Sequence, residues 1–251
     1  LSKYIKVDYY ELVLFVFLAL IAEIIGTISG FGSSVFFVPI ASYFFDFHSV
    51  LGITAVFHIF SNISKIILFQ KGVNWKIVLY LGVPAVIFVS LGALLSKYLD
   101  NHLLEIGLAV FLIFFSLLFL VFQKIEIRPT NFNSVVGGTI SGFVAGLFGT
   151  GGAIRGMTLA AFNLQKDVFI ATSAFIDFGV DLSRGLVYFS NGFIHYHDLG
   201  YVLILIVVSV VGTYIGKLIL EKISETLFKK IVLGVILGIG IVTLMNQIFV
   251  K

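Results

Sequence analysis

Apolar residues run along this chain in long blocks, separated by short polar stretches and by clusters of glycine. Crossing a hydrocarbon core of about 30 Å takes about 20 apolar residues in a helix. Segments of that kind lie at roughly 11–29, 49–70, 75–97, 103–122, 133–149, 168–190, 199–220 and 227–249. Two shorter apolar stretches, 33–45 and 152–164, each follow a glycine cluster and suit half-helices or re-entrant segments better than full spans. The pattern predicts an all-α, polytopic integral membrane protein.

The glycine clusters themselves form a pair. Gly30-Phe31-Gly32-Ser33-Ser34, closed by Pro39, is followed 119 residues later by Gly149-Thr150-Gly151-Gly152 and Arg155. Glycine loses the most backbone entropy on ordering, so clustered glycine opens a helix. Within a membrane such an opening survives only where protein or a water-filled cavity receives the freed backbone groups. Matched openings in two halves of a chain are the sequence pointer to a transporter's binding site.

The rest of the chain repeats at the same spacing. At offset 119, Thr54-Ala55 meets Ser173-Ala174, Asn62 meets Asp181, Ser64 meets Ser183 and Lys65 meets Arg184. After one inserted residue, Gly72 meets Gly192, Gly92 meets Gly212 and Lys97 meets Lys217. Agreement at glycine, small polar and basic positions carries more weight than agreement among Leu, Ile and Val, which any two spans share. Two tandem-duplicated helical repeats are expected, 1–123 and 133–251, joined by the polar loop 124–132. If the short segments return across the membrane, each repeat has five segments and the repeats are inverted; otherwise they are parallel. The inverted arrangement puts Lys71, Lys76, Lys124, Arg128, Lys166, Lys217, Lys222, Lys229 and Lys230 inside, and only Lys3, Lys6, Lys97 and Lys251 outside. The parallel one divides the basic residues almost evenly, so the positive-inside tendency favours inversion.

Composition agrees with the pattern. Of the 251 residues, 59% are hydrophobic and 12% charged, and the mean hydropathy is +1.13. Soluble domains are nearer a quarter charged. No cysteine is present, which removes disulfides, thiolate catalysis and Cys-ligated metals. The net charge of +3 comes with basic residues mostly in short loops, a topological signal and not a nucleic-acid surface.

Candidate chemistry concentrates on two stripes. Thr54, His58, Ser61, Asn62 and Lys65 share one helical face in the first half, and Ser173, Asp177, Asp181 and Arg184 share one in the second. Each ionisable group at the centre of a span costs at least ~2.5–3.5 kcal/mol on insertion scales, so these stripes face inward. Lys65 and Arg184, near helix ends, have snorkelling to the interface as an alternative. Asp177 and Asp181 are too short for that; their structural alternative is an ion pair, Asp181 with Arg184 or Asp177 with Arg155. Arg155 opens the second short segment, where helix N-terminal N–H groups and a guanidinium fork both favour an oxyanion. For Gly137-Gly138, Gly142 and Gly146, close helix packing is the preferred reading. His195-Tyr196-His197-Asp198 reads as a solvated loop before a metal site, and Trp75 as an interfacial anchor. Gly146 to Gly152 lacks the Gly-Lys-Ser/Thr ending of a phosphate loop.

These features together resemble the TauE/SafE family of sulfite exporters, also described as sulfonate-uptake-type permeases. The resemblance rests on Gly26-Thr27-Ile28-Ser29-Gly30-Phe31-Gly32-Ser33-Ser34 through Pro39, on Gly142 through Gly152, and on the paired stripes, and it spans essentially the whole chain. It implies a secondary transporter of small sulfur-containing anions, such as sulfite or organosulfonates. Two departures bear on the substrate: Phe31 and Ser33-Ser34 stand where a fuller glycine cluster is common, and Thr158 stands opposite Pro39.

The expected site lies between the repeats, with alternating access around it. Gly30, Gly32, Ser33, Ser34, Gly149, Thr150, Gly151 and Gly152 would offer N–H and hydroxyl donors, and Asn62 joins them. Arg155, Lys65 or Arg184 would supply charge, while His58, Asp177 and Asp181 are the candidates for proton coupling. The expected partners are a small anionic substrate and membrane lipid, with no nucleic acid, cofactor or metal; a homo-oligomer is left open. The expected location is the cell membrane, multi-pass. A passive anion channel of the same fold is the first alternative, and an intramembrane enzyme the second.

Overall fold

The apolar blocks fold into helices, and the glycine clusters into the breaks between them. A computed structural model describes residues 9–29, 32–69, 72–121, 127–220, 222, 237–245 and 247–248. In order these form α1 (Tyr9–Ser29), α2 (Ser34–Ala41), α3 (Phe47–Leu68) and α4 (Trp75–Ile77), which continues through a π-helical turn at Val78–Gly82 into α5 (Val83–Ser96). Then follow α6 (Asn101–Val121), α7 (Asn131–Phe148), α8 (Gly152–Ala160), α9 (Lys166–Ser190) and α10 (Leu199–Leu220). The last expected span, 227–249, lies largely outside the described residues; within it 237–245 is helical.

Among the described residues, five helical stretches are long and apolar enough to cross a membrane: Tyr9–Ser29, Phe47–Leu68, Trp75–Ser96, Asn101–Leu118 and Leu199–Leu220. The protein is a multi-pass membrane protein. Among these elements α9 is the longest at 25 residues, but its polar stripe dilutes its apolar character. The two short segments are shorter than the apolar pattern suggests, 8 residues in α2 and 9 in α8.

Local chemistry sets the boundaries. Asp46 begins α3 by accepting from the Ser49 N–H at 3.1 Å, and Thr130 begins α7 by accepting from the Asn133 N–H at 3.1 Å. At the two breaks, Gly32 and Gly149 have φ of +81° and +75°, a left-handed conformation that favours glycine.

Glycine packing fixes relative helix directions. Gly212 and Gly216 of α10 lie against Glu23 and Thr27 of α1, rising together, so these helices run parallel. Gly138, Gly142 and Gly146 of α7 meet Leu81, Ala85 and Val89 of the α4–α5 span, again in parallel. A Cβ at any of those three would fall on a backbone carbonyl, so close approach is what these glycines supply. On α9, Asp181 meets Asn62 while Gly185 meets Ala55 and Ile59, so α9 runs antiparallel to α3. Gly82 against Ile176 and Gly179 against Val86 make α5 and α9 parallel. Gly52 lies against Phe193 and Ile194, just ahead of α10, and Lys217 near its end donates to the Leu68 carbonyl, so α3 and α10 are parallel. Thus α1, α3 and α10 point one way, and α5, α7 and α9 the other.

Apolar packing sits around the centre and not in it. Phe15, Phe36, Phe37, Phe47 and Phe57 anchor one cluster, and Leu81, Ala85, Val89, Ile176 and Val180 another. Outward faces stay apolar, with Leu79, Ile87 and Leu91 on one side and Leu203, Val207 and Val210 on another. Between α3 and α9 the interior is polar.

Candidate substrate site

The two helix breaks meet in the middle of the molecule. Ser34 Oγ donates to Thr150 Oγ1 at 3.2 Å, and Gly32 lies close to the Gly152 backbone. Neither half-helix receives a side-chain cap: Ser33 at the start of α2 and Gly151 at the start of α8 make none. The first-turn N–H groups of both therefore have no side-chain acceptor from the cap residue, although the Phe36 N–H reaches the Ser33 carbonyl at 3.1 Å.

At the other edge of the second break, the carbonyls at the end of α7 are held by α9. Arg184 Nη1 donates to the carbonyls of Ala145 (3.2 Å) and Gly149 (2.7 Å), and Tyr188 Oη donates to that of Gly146 at 2.6 Å. These side chains receive the backbone groups that an opened helix exposes. The remaining Arg184 donors go to Asp181, through Nε at 2.8 Å and Nη2 at 2.6 Å, and to His58 Nδ1 at 3.3 Å. Arg184 is thus fully engaged with protein and only 2% exposed.

Both polar stripes turn inward. Lys65 is buried and points to Ser61 Oγ (2.7 Å) and Glu23 Oε1 (3.0 Å), so neither it nor Arg184 snorkels. Asn62 donates to Asp181 Oδ2 at 2.7 Å, directly joining the two stripes. Arg155 Nη2 is ion-paired with Asp177, whose Oδ2 also accepts from Ser173 Oγ at 3.3 Å. Both structural pairings weighed for the aspartates are present. Arg155 differs from Arg184 in one respect: its Nε and Nη1 are buried with no hydrogen-bond partner among the described residues.

A small polar cavity lies among these groups. Gly32, Ser33, Ser34, His58, Asn62, Lys65, Gly149, Gly151, Arg155, Asp177, Asp181 and Arg184 line it, together with Ser61, Ala145 and Val180. Of the other expected site residues, Thr150 and Gly152 are buried beside the lining, and Gly30 lies outside the described residues. The His195–Asp198 loop sits elsewhere: Asp198 accepts from the His195 N–H at 3.0 Å, and His195 Nδ1 lies 3.1 Å from Ser49 Oγ.

Two residues of this network escaped the sequence reading. Glu23 of α1 is fully buried and gathers Thr27, Ser61, Thr213, Lys65 and Ser33 around its carboxylate. Its signal was an acid within an apolar span. A search for matching positions passes over it, because its counterpart at offset 119 is Gly142. Tyr188 carried no such signal, since nothing in its neighbours distinguishes a carbonyl-capping tyrosine from an apolar one.

Comparison with known proteins agrees with this architecture. The family model "Sulfite exporter TauE/SafE" matches residues 15–243. A protein of Methanocaldococcus jannaschii described as a probable membrane transporter is 27% identical over 256 residues, covering 90% of this chain and 92% of its own length. No solved structure matches the chain. With a family match across nearly its whole length, the chain belongs to the sulfite exporter TauE/SafE family and is a multi-pass membrane transporter, not an enzyme.

Proposed function

We propose that this transporter carries a small sulfur-containing oxyanion, sulfite or an organosulfonate, across the cell membrane by alternating access around the cavity between α3 and α9. The observation that carries the reading is Arg155. A guanidinium 5% exposed, with two donor nitrogens unpartnered and bordering a cavity, lacks an acceptor of the kind an oxyanion supplies. The uncapped starts of α2 and α8 add N–H donors and the positive ends of two helix dipoles. Lys65 retains capacity for a further bond, while Arg184 acts by positioning the α7 end and Asp181. His58, Asp177 and Asp181 border the same cavity, as coupling of a proton to the anion requires.

The access mechanism rests on two inverted repeats, 1–123 and 133–251, joined by 124–132. In support, helix packing is preserved when the halves exchange. α1 packs on α10 as α7 packs on α5; α3 packs on α10 as α9 packs on α5; α1–α2 corresponds to α7–α8; and α3–α9 maps onto itself. The helix directions reverse under the exchange, α1 against α7 and α3 against α9, which favours inversion over parallel repeats. In this conformation the cavity has room for about one water molecule. Loading therefore requires α2 and α8 to part, or Asp177 to leave Arg155.

Binding is testable on the purified protein. Thermal stabilisation by sulfite, thiosulfate or small sulfonates, weaker in Arg155→Gln, is the expected result. A panel of these anions and sulfate that leaves the unfolding temperature unmoved would overturn the oxyanion reading.

A further inference from the structure

Glu23 sits one bond behind the cavity, and the direction of the hydrogen bonds between them is determined. Arg184 Nη2 can only donate, so His58 Nδ1 must accept and the ring hydrogen lies on Nε2. His58 Nε2 then donates to Ser33 Oγ across 3.0 Å, and the single Ser33 hydroxyl proton goes to Glu23 Oε2 at 2.6 Å. On the other oxygen the pattern is the same. Lys65 Nζ donates to Ser61, and Ser61 donates to Glu23 Oε1 at 2.5 Å. Every bond runs toward Glu23, so the carboxylate is the terminal acceptor of both chains.

Charge makes this consequential. Three buried acids, Glu23, Asp177 and Asp181, balance three bases, Lys65, Arg155 and Arg184. An anion entering this neutral cluster, away from water, is costly unless one acid takes a proton. Asp181 is faced by the Arg184 guanidinium and the Asn62 amide nitrogen, which donate and cannot accept, and the hydroxyl that faces Asp177, Ser173, does not line the cavity. Glu23 Oε2 is faced by the Ser33 hydroxyl, which can accept.

We propose that Glu23 takes up one proton with each anion bound, and that Ser33 links the two events. In the empty site the Ser33 proton is held by Glu23. When a proton from water bonds to Oε2, the new acid O–H donates to Ser33 Oγ, and the Ser33 hydroxyl turns its own proton to the anion. Ser33 lines the cavity, so the released donor points into the site. On anion release the hydroxyl turns back and Glu23 returns its proton to water. Only the Glu23 O–H bond is made and broken. The groups facing Glu23 are consistent with this. α3 presents Lys65 directly and His58 through Ser33, α9 presents Arg184 through His58, and α10 presents Thr213, which is uncharged.

This assignment rests on the oxyanion reading and deepens it. The test uses purified full-length protein with sulfate and sulfoacetate, neither of which titrates near neutrality. Affinity is measured at about pH 6 and about pH 8, and proton uptake is followed with a dye in weak buffer. One linked proton makes wild-type affinity fall up to about tenfold per pH unit, with uptake of about one proton per anion. Glu23→Gln, which keeps a donor toward Ser33, binds with no pH dependence and no proton uptake, while Glu23→Asp retains the linkage. Should Glu23→Gln fail to fold, Ser33→Ala is expected to lose the linkage in its place. Wild-type binding that is flat with pH, or wild-type linkage in both Glu23→Gln and Ser33→Ala, overturns the assignment but leaves the oxyanion reading standing. No wild-type binding of either anion at either pH overturns the assignment, and if sulfite and thiosulfate also fail to stabilise the protein the oxyanion reading falls with it.

Discussion

At the scale of single residues, the two interior arginines have different work. Arg184 spends its donors on Asp181, His58 and the carbonyls that close α7, whereas Arg155 pairs with Asp177 and keeps two nitrogens for the cavity. Removing one partner of a buried ion pair costs about 3–5 kcal/mol, because the other charge is left uncompensated. Arg184→Met strands both Asp181 and the α7 carbonyls, and is expected to lower the unfolding midpoint in detergent sharply. Arg155→Met leaves only Asp177, which is less deeply buried, and is expected to lower it less while removing anion binding. Equal shifts in the two variants would contradict this division. Spacing on a helical face was enough to identify His58, Asn62, Lys65, Asp177, Asp181 and Arg184 as inward groups. It could not tell which arginine was saturated, since that depends on carbonyls from a different helix.

At the scale of elements, the breaks explain why the site exists. α2 and α8 are too short to cross a membrane and follow breaks that contain the left-handed Gly32 and Gly149, so their ends lie within the molecule. Clustered glycine made both breaks readable in advance, and the α7 glycines were correctly read as packing positions, since Gly138, Gly142 and Gly146 each meet a backbone carbonyl of α4–α5 and Gly137 meets the Thr158 side chain. The π-helical turn at Val78–Gly82 was not readable. It precedes Pro84, whose missing N–H any local pattern would have placed in an ordinary helix start. Glu23 was hidden for an element-level reason: at the 119-residue offset α1 falls on α7, but one supplies a carboxylate where the other supplies the glycine that packs on Ala85.

At the scale of the molecule, the proposed inverted repeats would place equivalent loops on opposite faces of the membrane. Lys97, after α5, and Lys222, after α10, are both exposed, and the chain has no native cysteine to confuse labelling. Lys97→Cys and Lys222→Cys are expected to react with a membrane-impermeant maleimide from opposite sides, whereas parallel repeats would expose both on one side. The balanced charges of the interior, the small cavity and the opposed half-helices are the features on which the proposed carrier, loading from one face at a time, rests. The most direct measurement is sulfite uptake into proteoliposomes with and without an imposed pH gradient, in wild type and Arg155→Gln. Saturable uptake that follows the gradient and falls at least about tenfold in Arg155→Gln, from loss of charge-assisted bonds, is the expected result. Uptake no faster than in protein-free vesicles, or fast uptake indifferent to concentration, gradient and Arg155, would contradict it.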